Sequence, residues 1–286
     1  MYKFDPNQSA DESFRAVARS QLDEALNGLD SDDTNGRSVV HEARRRCKKL
    51  RGLLRLVRPG FAGFARENAA IRDAAALLSH LRDAEVLQHT VTDLAAWRPG
   101  PALERIAERL GAEHDAQQAQ RLGEFRLHLA AVRERLPEWT LKRSGHDAAI
   151  PGLRETYRKA RRLMRRAHRT HHPVDFHEWR KASKNHGFHL DLLKKVAPDM
   201  LADDLRVVEQ LSMQLGLHHD LAVLSDAIGR NPERFGDGGD VDVLRETVAA
   251  RTGEIEAEAF RLGRQVFAER PRAVAERFSS YWRSAA

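Results

Sequence analysis

The chain has 286 residues, 41% of them hydrophobic and 31% charged, with a formal net charge of +6. That apolar share supports a packed core and excludes a disordered chain, while the length suits one large domain or two ordinary ones. Cys47 is the single cysteine, which excludes a disulfide framework, a four-thiolate zinc site and an iron–sulfur cluster.

The predicted elements are helical throughout, because the apolar residues recur every three or four positions and nowhere alternate. Ser9-x-x-Glu12 is a capping box that opens a helix to about Leu26, closed by Asn27-Gly28. Asp30 to Arg37 reads as a polar linker, and Ser38 as the cap of a helix that Arg58-Pro59-Gly60 ends. Apolar periodicity then runs from Phe64 to Trp97 with a break near Ser79 to Asp83, followed by one long helix from Ala102 to Leu136. Ser144 to Asp147 marks a boundary between two halves.

In the second half, Pro151 suits a first helical turn, and a helix continues to about Thr170 before His171-His172-Pro173. Asp175-x-x-Glu178 is expected to cap the next helix. Two further helices are expected at Pro198 to Leu217 and His219 to Ile228, then a long one from Asp240 to about Glu269 and a last one after Pro271. The expectation is an all-α chain of roughly ten helices.

One stretch organises the pattern. At about 100° per residue, Arg44, Lys48, Arg51, Arg55 and Arg58 fall on the side of the helix that carries His41, with Arg45 beside them. Leu50, Leu53, Leu54, Val57 and Ala43 fall opposite, and Cys47 sits on that apolar side as an inert thiol. One face can pack while the other presents cations one turn apart, the spacing needed to follow a line of phosphates. A solvated charged face is the competing account; recurrence of the column weighs against it.

The recurrence is part of a duplication with four anchors in the same order. E-S-F-R-x-x-x-R at Glu12 to Arg19 returns as E-T-Y-R-x-x-x-R at Glu155 to Arg162, and the His41 motif returns at His177, Arg180, Lys181 and Lys184. D-x-x-V-L at Asp83 returns at Asp220, and R-L-G at Arg121 returns at Arg261. His41 precedes Asp83 by 42 residues and His177 precedes Asp220 by 43. The repeats span roughly 9–136 and 150–284 of a single unit covering 1–286. Duplicated units commonly pack about a pseudo-two-fold axis, which would bring both histidine helices to one shared cleft or pore. The aromatic-arginine helices would add Arg15 and Arg19 from the first half and Arg158, Arg161, Arg162, Arg165 and Arg166 from the second. From Arg154 to Lys184 there are eleven Lys/Arg against three Asp/Glu, a concentrated basic field.

These paired motifs resemble the CHAD family, the conserved histidine α-helical domain, and the closing segment Arg261 to Arg272 is similar as well. The resemblance implies a tandem pair of four-helix-bundle-like units around a basic central pore that binds inorganic polyphosphate. Many members carry a neighbouring CYTH domain; the chain has no room for one and is expected to stand alone. Two departures are visible. The L-G before the aspartate is intact at Leu215-Gly216 but is Leu78-Ser79 in the first half, and Gly187 stands where Arg51 has its counterpart.

Polyphosphate offers charge and no bases, so its recognition rests on arginine forks, lysine point charges and charge-assisted hydrogen bonds. His41 and His177 would add donors, and protonation near neutrality would tighten binding. Nucleic-acid backbone binding is one alternative, weakened by the 6% aromatic content and the lack of a recognised reading motif. A metal-dependent phosphohydrolase or phosphotransferase is another, but Asp83 and Asp220 read better as caps or arginine partners than as a carboxylate cluster. The histidines at 168, 171, 172, 177, 186 and 189 are a weak metal set without regular co-ligands, and no cofactor is expected. Trp97, Trp139, Trp179 and Trp282 read as packing residues. The N-terminus lacks a hydrophobic signal core and no apolar run reaches spanning length, so the expected place is the cytoplasm, or polyphosphate granules within it, with no membrane partner.

Overall fold

Helix α1 (Ala10–Asn27) starts at Ser9, whose hydroxyl accepts from Glu12 N at 3.2 Å while Glu12 Oε2 accepts from Ser9 N at 3.2 Å. The capping box read from the sequence is therefore formed. The computed structural model describes residues 2–30, 36–78, 83–110 and 118–285, and among these it contains eleven α-helices and no strand. After α1 come α2 (Gly36–Val57), α3 (Phe64–Leu77), α4 (Asp83–Trp97), α5 (Pro101–Arg109) and α6 (Gln118–Glu134). Then follow α7 (Ile150–Thr170), α8 (Pro173–Leu192), α9 (Ala202–Arg230), α10 (Gly238–Val266) and α11 (Pro271–Ala285).

Several boundaries differ from the sequence reading, each for a local reason. Helix α2 begins at Gly36, so Ser38 stands within it; residues 31–35 of the expected linker, and the Ser38 side chain, lie outside the described residues. Residues 79–82 of the expected break do too. The single long helix expected from Ala102 to Leu136 is described as α5 and α6, with residues 111–117 outside the description. Leu103, Ile106 and Leu110 of that stretch enter a different core from Phe125, Leu129 and Val132. Asp175 does not cap α8. His172 does, its Nδ1 accepting from Val174 N at 3.3 Å, because Pro173 takes the first helical position. The two helices expected on either side of His218 are one, α9, which runs 29 residues through Gly216. Glycine in a helix interior weakens it by about 1 kcal/mol. Burial of Leu211, Leu215, His218, Leu221 and Leu224 along one face offsets that.

The apolar side chains form two cores. The larger draws on α1, α2, α3, α6, α7, α8, the first half of α9, the end of α10, and α11. The smaller joins α4 and α5 to the second half of α9 and the first half of α10. Both cores mix helices from before and after residue 144. Two glycines mark where α8 and α7 press close against α2. A Cβ at Gly52 would lie 2.9 Å from Phe188 Cβ, so α2 and α8 meet there, and His189 Nε2 donates to Gly52 O at 3.0 Å. A Cβ at Gly152 would lie 1.9 Å from Leu56 O, so the start of α7 sits directly on α2.

Candidate anion-binding site

The amphipathic split expected of α2 is what positions the site. Ala43, Cys47, Leu50, Leu53, Leu54 and Val57 are buried, which leaves the arginine–lysine column turned the other way. Helix α8 does the same, burying Phe176, Trp179, Ala182 and Ser183. Because α2 and α8 pack at Gly52 and Phe188, their polar faces converge on one cavity of about 350 Å³. Its basic walls are Arg44, Lys48, Arg51 and Arg55 from α2 and His177, Arg180, Lys181 and Lys184 from α8, with Asn185 and Phe188. Val86 of α4 and His219, Asp220 and Val223 of α9 complete it. The lining therefore holds seven Lys/Arg, two His and one carboxylate.

The cations are held rather than free to sweep. Arg51 Nε donates to Asn68 Oδ1 at 3.2 Å, Arg44 Nη1 to Ala75 O at 3.5 Å, and Arg55 Nη1 to Arg51 O at 2.8 Å. Burial, reinforced by the charges of Arg51 and Arg58, pushes the Arg55 guanidinium down to about 10, so it remains a cation at neutral pH. Burial and then Arg72 lower Arg51 as well. Burial is the larger cause in both, with neighbouring cations adding to it, and a bound anion would offset the two together. His177 Nδ1 and His219 Nδ1 are 3.3 Å apart, and burial with Lys181 and Arg180 lowers the His177 imidazole below its ordinary value.

The remaining predicted residues lie elsewhere. His41 is exposed near the start of α2, one turn before Arg44, and is not part of the cavity lining. Arg45 forks onto Glu42 at 2.6 and 2.7 Å on the outer flank of α2. Arg15 donates to Trp139 O at 3.0 Å, and Arg19 is exposed on α1. Arg161 donates to Phe267 O at 2.9 Å, Arg166 pairs with Asp175 at 2.8 Å, and Arg158 and Arg162 are exposed on α7. Arg165 lines a separate pocket. The α7 arginines are thus not brought into the α2–α8 cavity. Asp220 is, whereas the Asp83 side chain lies outside the described residues. His219, Asn185 and Phe188 were not singled out from the sequence. Asn185 and Phe188 continue the three-and-four spacing after Lys184 and Lys181, a signal their uncharged chemistry hid.

The six histidines weighed as a metal set do not converge. His186 and His189 are buried in the core, and burial pushes both down to about 3. His171 Nδ1 contacts Glu256 Oε2 at 2.6 Å, and Glu256 Oε1 also meets His218 Nε2 at 3.1 Å. Among the described residues no three His, Cys, Asp or Glu side chains gather as a metal-holding group.

The family model of the CHAD domain matches residues 16–229, about three-quarters of the chain. The chain belongs to the CHAD-domain family. The matched span runs from within α1 to the end of α9 and includes every residue that lines the cavity. The Arg261 to Arg272 segment of this CHAD protein lies beyond it. No curated protein and no solved structure matches the chain. No described helix is long and apolar enough to cross a membrane.

Proposed function

We propose that this CHAD domain binds inorganic polyphosphate in the α2–α8 cavity and does no chemistry on it. The observation that carries the reading is the lining itself: seven Lys/Arg and two His against one carboxylate in a single recess. A charged chain with no apolar part is the ligand such a lining suits, each charge-assisted hydrogen bond contributing about 1.5–3 kcal/mol. The two basic walls come from the two motif-bearing halves, which supports a pseudo-two-fold arrangement about a shared basic channel. Membership of the CHAD family is consistent with polyphosphate as the ligand.

Catalysis on phosphates would call for carboxylates that hold metal ions beside the reacting group, and Asp220 stands alone in that respect in the lining. Nucleic acid is the second reading, since its backbone carries the same charge. A recess of about 350 Å³ suits a bare phosphate chain, which brings no sugars or bases, better than a duplex. Titration of long-chain polyphosphate at two salt concentrations, with double-stranded DNA as competitor, separates them. The reading predicts steep salt dependence and no displacement by DNA; displacement at comparable phosphate concentration would favour the nucleic-acid reading.

A further inference from the structure

The outer face of α7 carries a second basic feature that the cavity does not use. The helix holds seven arginines and one lysine against one carboxylate, Glu155. Arg154, Arg158, Arg162, Arg165 and Arg169 are exposed and spaced four, four, three and four residues apart. They fall within about 80° of arc and extend for about 22 Å along the helix. Some exposed arginines on other helices carry their own carboxylate three or four residues away, as Arg206 does with Asp203, Arg230 with Asp226, Arg261 with Glu258 and Arg272 with Glu276. Among the described residues, the side chains of these five on α7 make no hydrogen bond or ion pair.

At its C-terminal end the stripe borders a shallow pocket of about 320 Å³ between α7 and α10. Arg165, Arg169 and Arg264 wall the pocket, with His168, over a floor of Met164 and Phe260. Phe260 is 7% exposed and stacks on Trp179 at 5.4 Å and 11°, with the His168 ring set across it at 4.9 Å. Its ring is already engaged, so it is not an open platform for a nucleobase. Polyphosphate has nothing apolar to place on that floor.

We propose that this face docks an acidic amphipathic helix of a partner protein. A helix laid along α7 repeats at the same 5.4 Å pitch, so carboxylates at matching three-and-four spacing meet the guanidinium column one for one. Arginine forks suit carboxylates bidentately. An apolar side chain of the partner then fills the pocket over Met164, whose thioether adapts to the shape presented.

The test uses the full chain and a fluorescent synthetic helical peptide carrying glutamates at that spacing and one central leucine. Saturable binding is expected, weakened about tenfold or more by Arg169→Glu with Arg264→Glu and by replacing the leucine with serine. Both arginines are exposed, and circular dichroism checks that the variant folds. Lys48→Glu with Arg51→Glu, in the cavity, is expected to leave peptide binding unchanged. No binding, equal binding of the serine peptide, loss in the cavity variant instead, or displacement of the peptide from α7 by single-stranded RNA at equal charge would each overturn the proposal.

Discussion

His177 on α8 and His219 on α9 face one another across the wall of the basic cavity, their Nδ1 atoms 3.3 Å apart and their ring centroids 4.6 Å apart. With both rings neutral, one Nδ1–H donates to the other Nδ1. With both protonated, the two donors repel unless an anion lies between them. Burial, Lys181 and Arg180 already lower the His177 imidazole in the free protein.

A bound polyanion would raise that value, so binding takes up a proton. Polyphosphate affinity is therefore expected to increase as pH falls through the bound-state value, and to level off below the free-state one. Binding measured from pH 8 to pH 5.5 should strengthen on acidification, and His177→Ala should flatten the profile. A profile of the same slope in the variant would remove His177 from the account.

Neighbouring arginines on α2 should differ sharply. Arg51 lines the cavity, whereas Arg45 is forked onto Glu42 outside it. Arg51→Ala is expected to weaken polyphosphate binding by roughly 1.5–3 kcal/mol, tenfold or more. Arg45→Ala is expected to change it by about twofold at most, as for an exposed pair. Isothermal titration of the two variants decides it, and equal losses would count against the cavity as the site.

Two glycine substitutions should move stability in opposite directions. Ala at Gly152 would place Cβ 1.9 Å from Leu56 O, backbone that cannot rotate away. Loss of about 3 kcal/mol is expected from such overpacking. Gly216, inside α9, has nothing within 4 Å of a Cβ, so Gly216→Ala should add about 0.5–1 kcal/mol. Urea denaturation reads both. A stabilised Gly152→Ala variant would contradict the α2–α7 contact.

Acid should unfold the protein partly through its core histidines. Burial depresses His186 and His189 to about 3 in the fold, while the unfolded chain titrates them near 6.5. The unfolded state therefore binds more protons between these values. Their neutral burial stabilises the fold fully above about pH 6.5, and that stability is lost as pH falls towards 3. Denaturation midpoints should decline over that window, and His186→Phe, which keeps an aromatic ring beside Tyr157 and Phe267, should shallow the decline. An unchanged slope would show that other groups control acid unfolding.

Much of this was legible locally. The Ser9–Glu12 box, the apolar face of α2 and the cation column opposite it depend on neighbours three and four residues away, which the sequence displays. What was hidden depends on long-range packing. Whether helix breaks at Gly216 or at residue 110 are real is decided by which core claims the flanking leucines, and Asp175 lost the cap to His172 because Pro173 moved the helix start. The arginines of α7 have the right spacing for a phosphate column, but spacing fixes only that they share a face. Packing of the opposite face on α2 and α8 then turns that face outward. His219 gave no signal, since its partner is 42 residues away in sequence.

The central claim is that cations of both histidine helices hold the polyanion in one cavity. Its most direct test is the affinity of long-chain polyphosphate for the chain carrying Arg44→Ala, Lys48→Ala, Arg180→Ala and Lys184→Ala together, at fixed salt and with folding checked by circular dichroism. The account predicts a loss of at least about a hundredfold and a shallower salt dependence, by roughly 0.7 in slope for each phosphate contact removed. Affinity within about twofold of the unaltered chain, with the same salt slope, would contradict it and place polyphosphate outside the α2–α8 cavity.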